Sequence, residues 1–421
     1  MKKRVFRNYS YMECDDLAAY LMEMAQKGWH FKEWRLGLAF DKGEPREDAY
    51  VVEIFTRGSE IDTRPEPDTE EFAEYCREAG WELADSRKKF CIFRKKREDA
   101  AAIVTEEERL ENVMAEEKEK WIRNTIYAGV AAGMCQIQFY GQYFESWIFG
   151  NLMLWLIFII TLQFVREIFG GILLWAKNRR YRQMIAEGGT PYYGIGKRKQ
   201  NWKQAGTLLA AILGGLIFLA AGLADQMYTV VWITGVVLLF CALIYGAIGL
   251  FRTERETTWL IHTGMNVAVV ILVLVLTFLA VKGYNREPDL SRAGELPLRM
   301  EDYRSISDEI SNVNVEKSRN LLGSMEKYDV EYEESSISYE IYDSTQEWIL
   351  DRIWERQKEN SKNLRDCSAE WGTTAAAGEF WGFPVYYVRV PGKIFVLREV
   401  EILDQEQIAC ICEKMQIGSG F

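Results

Sequence analysis

The sequence predicts two soluble α+β modules flanking an α-helical membrane domain. Three observations carry that class. Apolar runs fill the middle of the chain, over 147–164, 205–224, 228–250 and 259–281. About 18 such residues in a row suffice for a helix to cross a bilayer. Charged segments of mixed period lie on both sides of this block. With 421 residues, the chain is long enough for more than one domain. The expected boundaries are a ferredoxin-like module over 1–97, a charged helical linker over 98–120, a membrane domain of about five helices over 121–283, and an outer α+β domain over 284–421.

The N-terminal module is built on a repeat. At one constant offset, Asp16 corresponds to Asp68, Tyr20 to Phe72, Met24 to Cys76, Gly28 to Gly80 and Trp29 to Trp81. Each copy reads as a short helix. The Asp accepts the free N–H groups of the first turn, and apolar residues follow at helical spacing. Gly28 or Gly80 then ends the helix in the left-handed conformation. Trp29 and Trp81 fold back onto Met24 and Cys76, which we take over a ligand-stacking role for the pair. Strand-like runs surround the helices at 4–9, 29–40, 49–55, 83 and 90–93. The runs at 29–40 and 49–55 are expected to pair across the polar loop 41–48. The order β-α-β-β-α-β suggests a ferredoxin-like sandwich.

Met24-Ala25-Gln26-Lys27-Gly28-Trp29-His30, the Tyr50 strand, and Glu78-Ala79-Gly80-Trp81-Glu82 before Phe90 to Phe93 carry a family resemblance. On these motifs the first hundred residues resemble the bacterial membrane-protein family of domain of unknown function 2812. That family has no established activity, so no catalytic residue carries over. Its members are often encoded beside PadR-type regulators. The resemblance therefore implies a regulatory partnership with a cytoplasmic transcription regulator.

Thr105 and Glu108 fit a capping box opening a charged helix over 105–120, a connecting stalk that continues into Trp121. Five spans are expected, at 121–140, 147–164, 205–224, 228–250 and 259–281. Basic residues assign their orientation. The loop 141–146 and the turn 224–227 carry no Lys or Arg, whereas 177–203 holds Arg179, Arg180, Arg182, Lys197, Arg198 and Lys199, and 252–256 holds two arginines. The N-terminal module is thus expected in the cytoplasm and the C-terminal domain outside, in a multi-pass protein of the cell membrane. Val5 to Asp16 is too polar for a signal peptide, so the first span is expected to act as the insertion signal.

Arg166, Glu167 and His262 are the polar candidates within or beside the spans. An Arg166–Glu167 pair inside the bilayer would mark an ion or substrate path. Snorkelling at the cytoplasmic interface is the preferred reading, and His262 reads as interfacial. Gly129-x-x-x-Gly133 fits a close helix-packing face. Gly194-Ile195-Gly196-Lys197 lacks the spacing of a phosphate loop and reads as a basic loop near anionic headgroups.

In the outer domain, Gly283, Pro288, Gly294 and Pro297 mark a linker. A helix is expected over 300–322, strands at 330–332 and 337–341, and a helix opened by Ser344 with Ile349, Leu350, Ile353 and Trp354 on one face. A hairpin over 384–400 turns at Pro391-Gly392, and Asp404 caps a last helix. Eight dispersed cysteines and two histidines leave no metal-ligand cluster, nucleophile motif or catalytic carboxylate pair. Cys367 has the option of bridging Cys410 or Cys412, or of staying a thiol. A net charge of −11 argues against direct nucleic-acid binding. The expected function is sensory or regulatory, without cofactor or enzymatic activity. The outer domain would bind an unknown ligand, and the inner module would contact a cytoplasmic partner. A transporter or transporter accessory subunit is the alternative.

Overall fold

The computed structural model describes residues 1–141, 143–284, 290–306, 309–359 and 361–417. The expected linker residue Pro288 lies outside them. The chain divides into two compact units. The first comprises 1–132, 160–217 and 229–279, and the second 133–159, 218–228 and 280–421.

In the first unit, β1 (Lys2–Val5), α1 (Cys14–Gln26), β2 (Trp29–Arg35) and β3 (Gly37–Lys42) form one β-α-β-β copy. Strand β4 (Tyr50–Ile54), α2 (Pro67–Glu78), β5 (Trp81–Arg87) and β6 (Phe90–Lys95) form another. The sheets have matching strand orders, β1-β3-β2 and β4-β6-β5. Even their irregularities match: the ladder shifts between Phe31 and Glu33 in one copy and between Leu83 and Asp85 in the other. The duplication seen in the sequence is therefore a duplication of the whole β-α-β-β unit.

This differs from the expected β-α-β-β-α-β order in two ways. The run 29–40 is two strands bent at Leu36–Gly37, where Gly37 has φ +91°. Strand β4 pairs with β6 and starts the second copy, so it makes no hairpin with β3. Helix α1 packs against strands of both copies, Tyr50, Val52 and Ile54 of β4 included, whereas α2 packs within its own. Leu17, Leu21 and Met24 of α1 enter a core with Leu38 and Phe40, and Ala73 and Cys76 of α2 enter one with Trp81 and Phe93.

Helix α3 (Glu106–Gly141) is continuous, about 54 Å at 1.5 Å per residue. The Thr105 hydroxyl caps it, accepting the Glu108 N–H at 3.2 Å. Its base is part of the module, since Leu110, Val113 and Met114 are buried in the α1 core. After the short α4 (Phe144–Phe149) come α5 (Asn151–Ala186), α6 (Lys197–Ala224), α7 (Tyr228–Phe251) and α8 (Arg255–Tyr284). Four helices, α5 to α8, are long and apolar enough to cross a membrane. Most of their apolar side chains face outward, among them Leu173, Leu208, Leu238, Leu239 and Leu274. That is the pattern of a multi-pass membrane protein, whose helices bury their outer faces in lipid rather than in protein.

The second unit holds a seven-stranded antiparallel sheet of order β10-β11-β12-β13-β9-β8-β7. Its strands are β7 (Ile310–Asn320), β8 (Gly323–Tyr332), β9 (Ser336–Asp343), β10 (Lys362–Asp366), β11 (Thr374–Phe380), β12 (Phe383–Val390) and β13 (Lys393–Arg398). Helix α9 (Glu347–Glu359) buries Ile349, Leu350, Ile353 and Trp354 as its spacing predicts. The short α10 (Ser368–Trp371) and α11 (Gln405–Met415) complete the domain, and the Asp404 carboxylate caps α11 by accepting the Gln407 N–H at 2.9 Å.

The helix expected over 300–322 is a correction. Among the described residues a 3-10 turn at Met300–Asp302 forms there, and Ile310–Asn320 is the edge strand β7. Val313 and Val315 alternate with polar residues, and that period of two prevails over the helical reading. Cys367, Cys410 and Cys412 are free thiols, as are the other five cysteines.

A carboxylate-lined docking site on the N-terminal module

The described contacts of the first unit converge on the two connections α5–α6 and α7–α8, each held by one copy of the repeat. At the start of α1, the Asp15 N–H donates to the Tyr193 carbonyl at 2.9 Å. The Asp15 carboxylate accepts the Tyr193 N–H at 2.7 Å. Its neighbour Asp16 takes the Tyr192 hydroxyl at 2.7 Å and the Ile195 N–H at 2.7 Å. The Gly196 N–H completes the set at 3.1 Å. Asp16 is thus aimed at another segment, where the sequence suggested that it caps its own helix. Gly194 is needed here, because a Cβ would lie 2.6 Å from the Asp16 carboxylate. Lys203 pairs with Glu13 at 2.6 Å and Lys197 with Glu23 at 2.7 Å.

The second copy holds the α7–α8 turn. Arg255 meets Asp62 through two bonds of 2.8 Å and lies 3.7 Å from Asp68, the repeat partner of Asp16. The Arg255 N–H donates to Glu66 at 3.0 Å, and the Thr63 hydroxyl donates to the Thr253 carbonyl at 2.8 Å. Arg252 joins both copies. Its guanidinium lies 2.6 Å from Asp85 on β5 and 3.7 Å from Glu33 on β2, positions equivalent in the repeat. Asp85 also accepts the Trp34 N–H at 2.6 Å, which ties β2 to β5. Burial raises the Asp85 carboxyl above its ordinary value despite Arg252.

Beneath the first copy, Arg109 of α3 bridges Asp15 at 2.7 Å and Glu53 of β4 at 3.2 Å. Burial pushes the Glu53 carboxyl up to about 7, against the pull of Arg109. Lys89 and Glu116, both buried, form a second ion pair at the base of α3. Every carboxylate in this network faces a cation or a backbone N–H. That arrangement holds chain segments and leaves no open carboxylate pair for acid–base chemistry. No group of His, Cys, Asp and Glu able to hold a metal occurs among the described residues.

The other residues singled out in the sequence take simpler places. Gly28 and Gly80 have φ of +72° and +92°. Trp81 is buried with its indole N–H on the Ala101 carbonyl at 2.7 Å, while Trp29 is half-buried beneath Lys3 and Lys42. Arg179, Arg180 and Arg182 are on α5, and Lys197, Arg198 and Lys199 open α6, so the true connection is confined to 187–196. All six are exposed. Arg166 is exposed and pairs with buried Glu167 at 2.9 Å. His262 packs beside the Tyr245 ring at 5.3 Å. Gly129 lies under Phe164, but Gly133 has open space beside it, so only half of the small-residue motif packs.

Sequence reasoning missed Arg109, Asp62 and Asp85, and it counted Arg252 and Arg255 only as loop charge. The available signal was their position. Two arginines in a short turn between spans, opposite a module rich in acidic first-turn residues, call for partners.

Residues 13–126 match the family model described as protein of unknown function (DUF2812), the family that the motifs of the N-terminal module resemble. The match runs from the start of the carboxylate cluster, through both copies of the repeat, into α3. No curated protein and no solved structure matches the chain.

Proposed function

We propose that the chain is a membrane-bound sensory or regulatory protein with five spans, its N-terminal module in the cytoplasm and its C-terminal domain outside. In this reading α3 is the first span, the outer domain binds a ligand, and the module contacts a cytoplasmic protein. The resemblance of the module points to a PadR-type transcription regulator as that protein. The supporting observation is the docking site. One duplicated module grips both connections, α5–α6 through hydrogen bonds to Asp15 and Asp16 and α7–α8 through the ion pairs of Arg252 and Arg255, so a shift of α5 to α8 alters the surface that the module offers. Basic residues cluster at the module-side ends of α5 and α6, as expected for a cytoplasmic face.

The test is cross-linking of the full-length protein in native membranes, followed by purification and mass spectrometry. A DNA-binding regulator joined to residues of 1–97 is the expected result. Recovery of only lipids and chaperones overturns the reading.

A further inference from the structure

The second unit contains a cavity of about 1180 Å³ between the β7–β8–β9 part of its sheet and the helix ends at 146–153 and 225–227. Helix α9 covers the other half of that sheet with Ile349, Leu350 and Ile353. Two kinds of side chain line the cavity. From the helix ends come Trp147, Met153 and Met227, an aromatic ring and two flexible thioethers. Methionine adapts its shape to varied apolar groups. From the sheet come the carboxylates Glu316, Asp329 and Glu331.

Not all of this charge is open to a ligand. Asp225, also on the wall, accepts the Asn151 and Leu152 N–H groups at 3.1 and 2.7 Å and so caps α5. Asp329 takes the Ser338 hydroxyl at 2.6 Å and Lys327 at 3.3 Å. Lys317 is turned to Glu326 at 3.8 Å and to the Tyr328 ring. Glu331 accepts the Asn312 side-chain amide at 3.4 Å, and neither Glu331 nor Glu316 pairs with a cation among the described residues. The cavity thus sets two carboxylates, neither paired with a cation among the described residues, opposite an apolar wall of Trp and Met. We propose that it binds an amphiphilic organic cation, with the cationic group at Glu316 and Glu331 and the apolar body against Trp147, Met153 and Met227. A volume above the usual 300–1,000 Å³ of small-molecule sites suits a molecule at or beyond drug size. The inference gives a chemical class to the outer ligand and rests on that part of the function proposed above.

The test uses the full-length protein in nanodiscs of zwitterionic lipid, with rhodamine 6G as the amphiphilic cation and fluorescein as its anionic xanthene counterpart. Empty discs give the lipid background. Rhodamine 6G should show a saturable rise in anisotropy above that background, and fluorescein none. Glu316→Gln combined with Glu331→Gln should weaken rhodamine binding at least tenfold, while Glu316→Asp, which keeps the charge, stays within threefold of wild type. Thermal unfolding verifies that both variants fold. The inference is overturned by absence of a saturable component, by equal binding of fluorescein, or by binding of the double variant within threefold of wild type. Failure here leaves recovery of a regulator by the inner module untouched. Failure of that recovery, with rhodamine still bound, sinks only the regulatory reading.

Discussion

Arg252 stands between two carboxylates that the repeat makes equivalent, and Asp85 is the more buried of them, at 4% exposure. Removing the cation strands a buried carboxylate, which costs about 3–5 kcal/mol where the original pair was well formed. Arg252→Met should therefore lower the unfolding temperature of the detergent-solubilised protein sharply. Asp85→Asn in the same chain should restore much of the loss, because the charge that needed a partner is gone. Additive losses in the double variant would mean that the two side chains do not work as a pair.

Glu53 gives a pH signature at the same scale. Its carboxyl moves from 4.5 to about 7 on folding, because burial disfavours the charged form. Between those values the unfolded chain has released the proton and the folded chain keeps it. Stability contributed by this group is thus full below about 4.5, falls as pH rises through about 7, and is level above that. The span corresponds to about 3 kcal/mol. Glu53→Gln should flatten the difference in unfolding free energy between pH 5 and pH 8. An unchanged slope in the variant would assign the pH dependence to other groups.

At the scale of elements, α3 and α5 are fitted by one glycine. A Cβ on Gly171 would run into the Trp121 ring, whose indole N–H donates to the Glu167 carbonyl at 2.7 Å. Gly171→Val should cost about 1–3 kcal/mol as overpacking. Trp121→Ala should recover part of it by opening the space, as read from thermal unfolding of the single and double variants. Trp121 was legible in the sequence only as the residue into which the charged stalk continues, since the residue opposite it is 50 positions away and silent in any pattern. The same limit explains the rest of the comparison. The duplicated helix ends were readable, because a Gly that must adopt positive φ before a Trp that packs back is a local requirement. Strand pairing was not, because β4 joins β6 through contacts that no short-range period records. The docking site was half legible. Its cations stood out as loop charge and its Asp16 as a first-turn residue, but their partnership is a tertiary fact.

For the whole molecule, the two units divide the ends of the apolar helices between them. The first contains the N-terminal module with the α5–α6 and α7–α8 connections, and the second contains the C-terminal domain with the α6–α7 turn. Alternation along the chain then makes a sharp claim about sidedness. If α3 crosses the bilayer with α5 to α8, an odd number of crossings separates the two termini. In the proposed orientation the basic connection lies inside with the other connections of the first unit, and the C-terminal domain lies outside. Cys410 on α11 supplies the probe, as it is exposed while Cys367 is buried and Cys412 half-buried. A membrane-impermeant maleimide should label the protein in intact cells, and Cys410→Ser should remove most of that label. Labelling that begins only after permeabilisation would place the C-terminal domain inside. The cavity would then face the cytoplasm, and either α3 would lie outside the bilayer, leaving four crossings, or the N-terminal module would be the part outside. An impermeant lysine reagent applied before and after permeabilisation separates these two, because Lys2 and Lys3 are exposed and stand at the opposite end of the chain from Cys410.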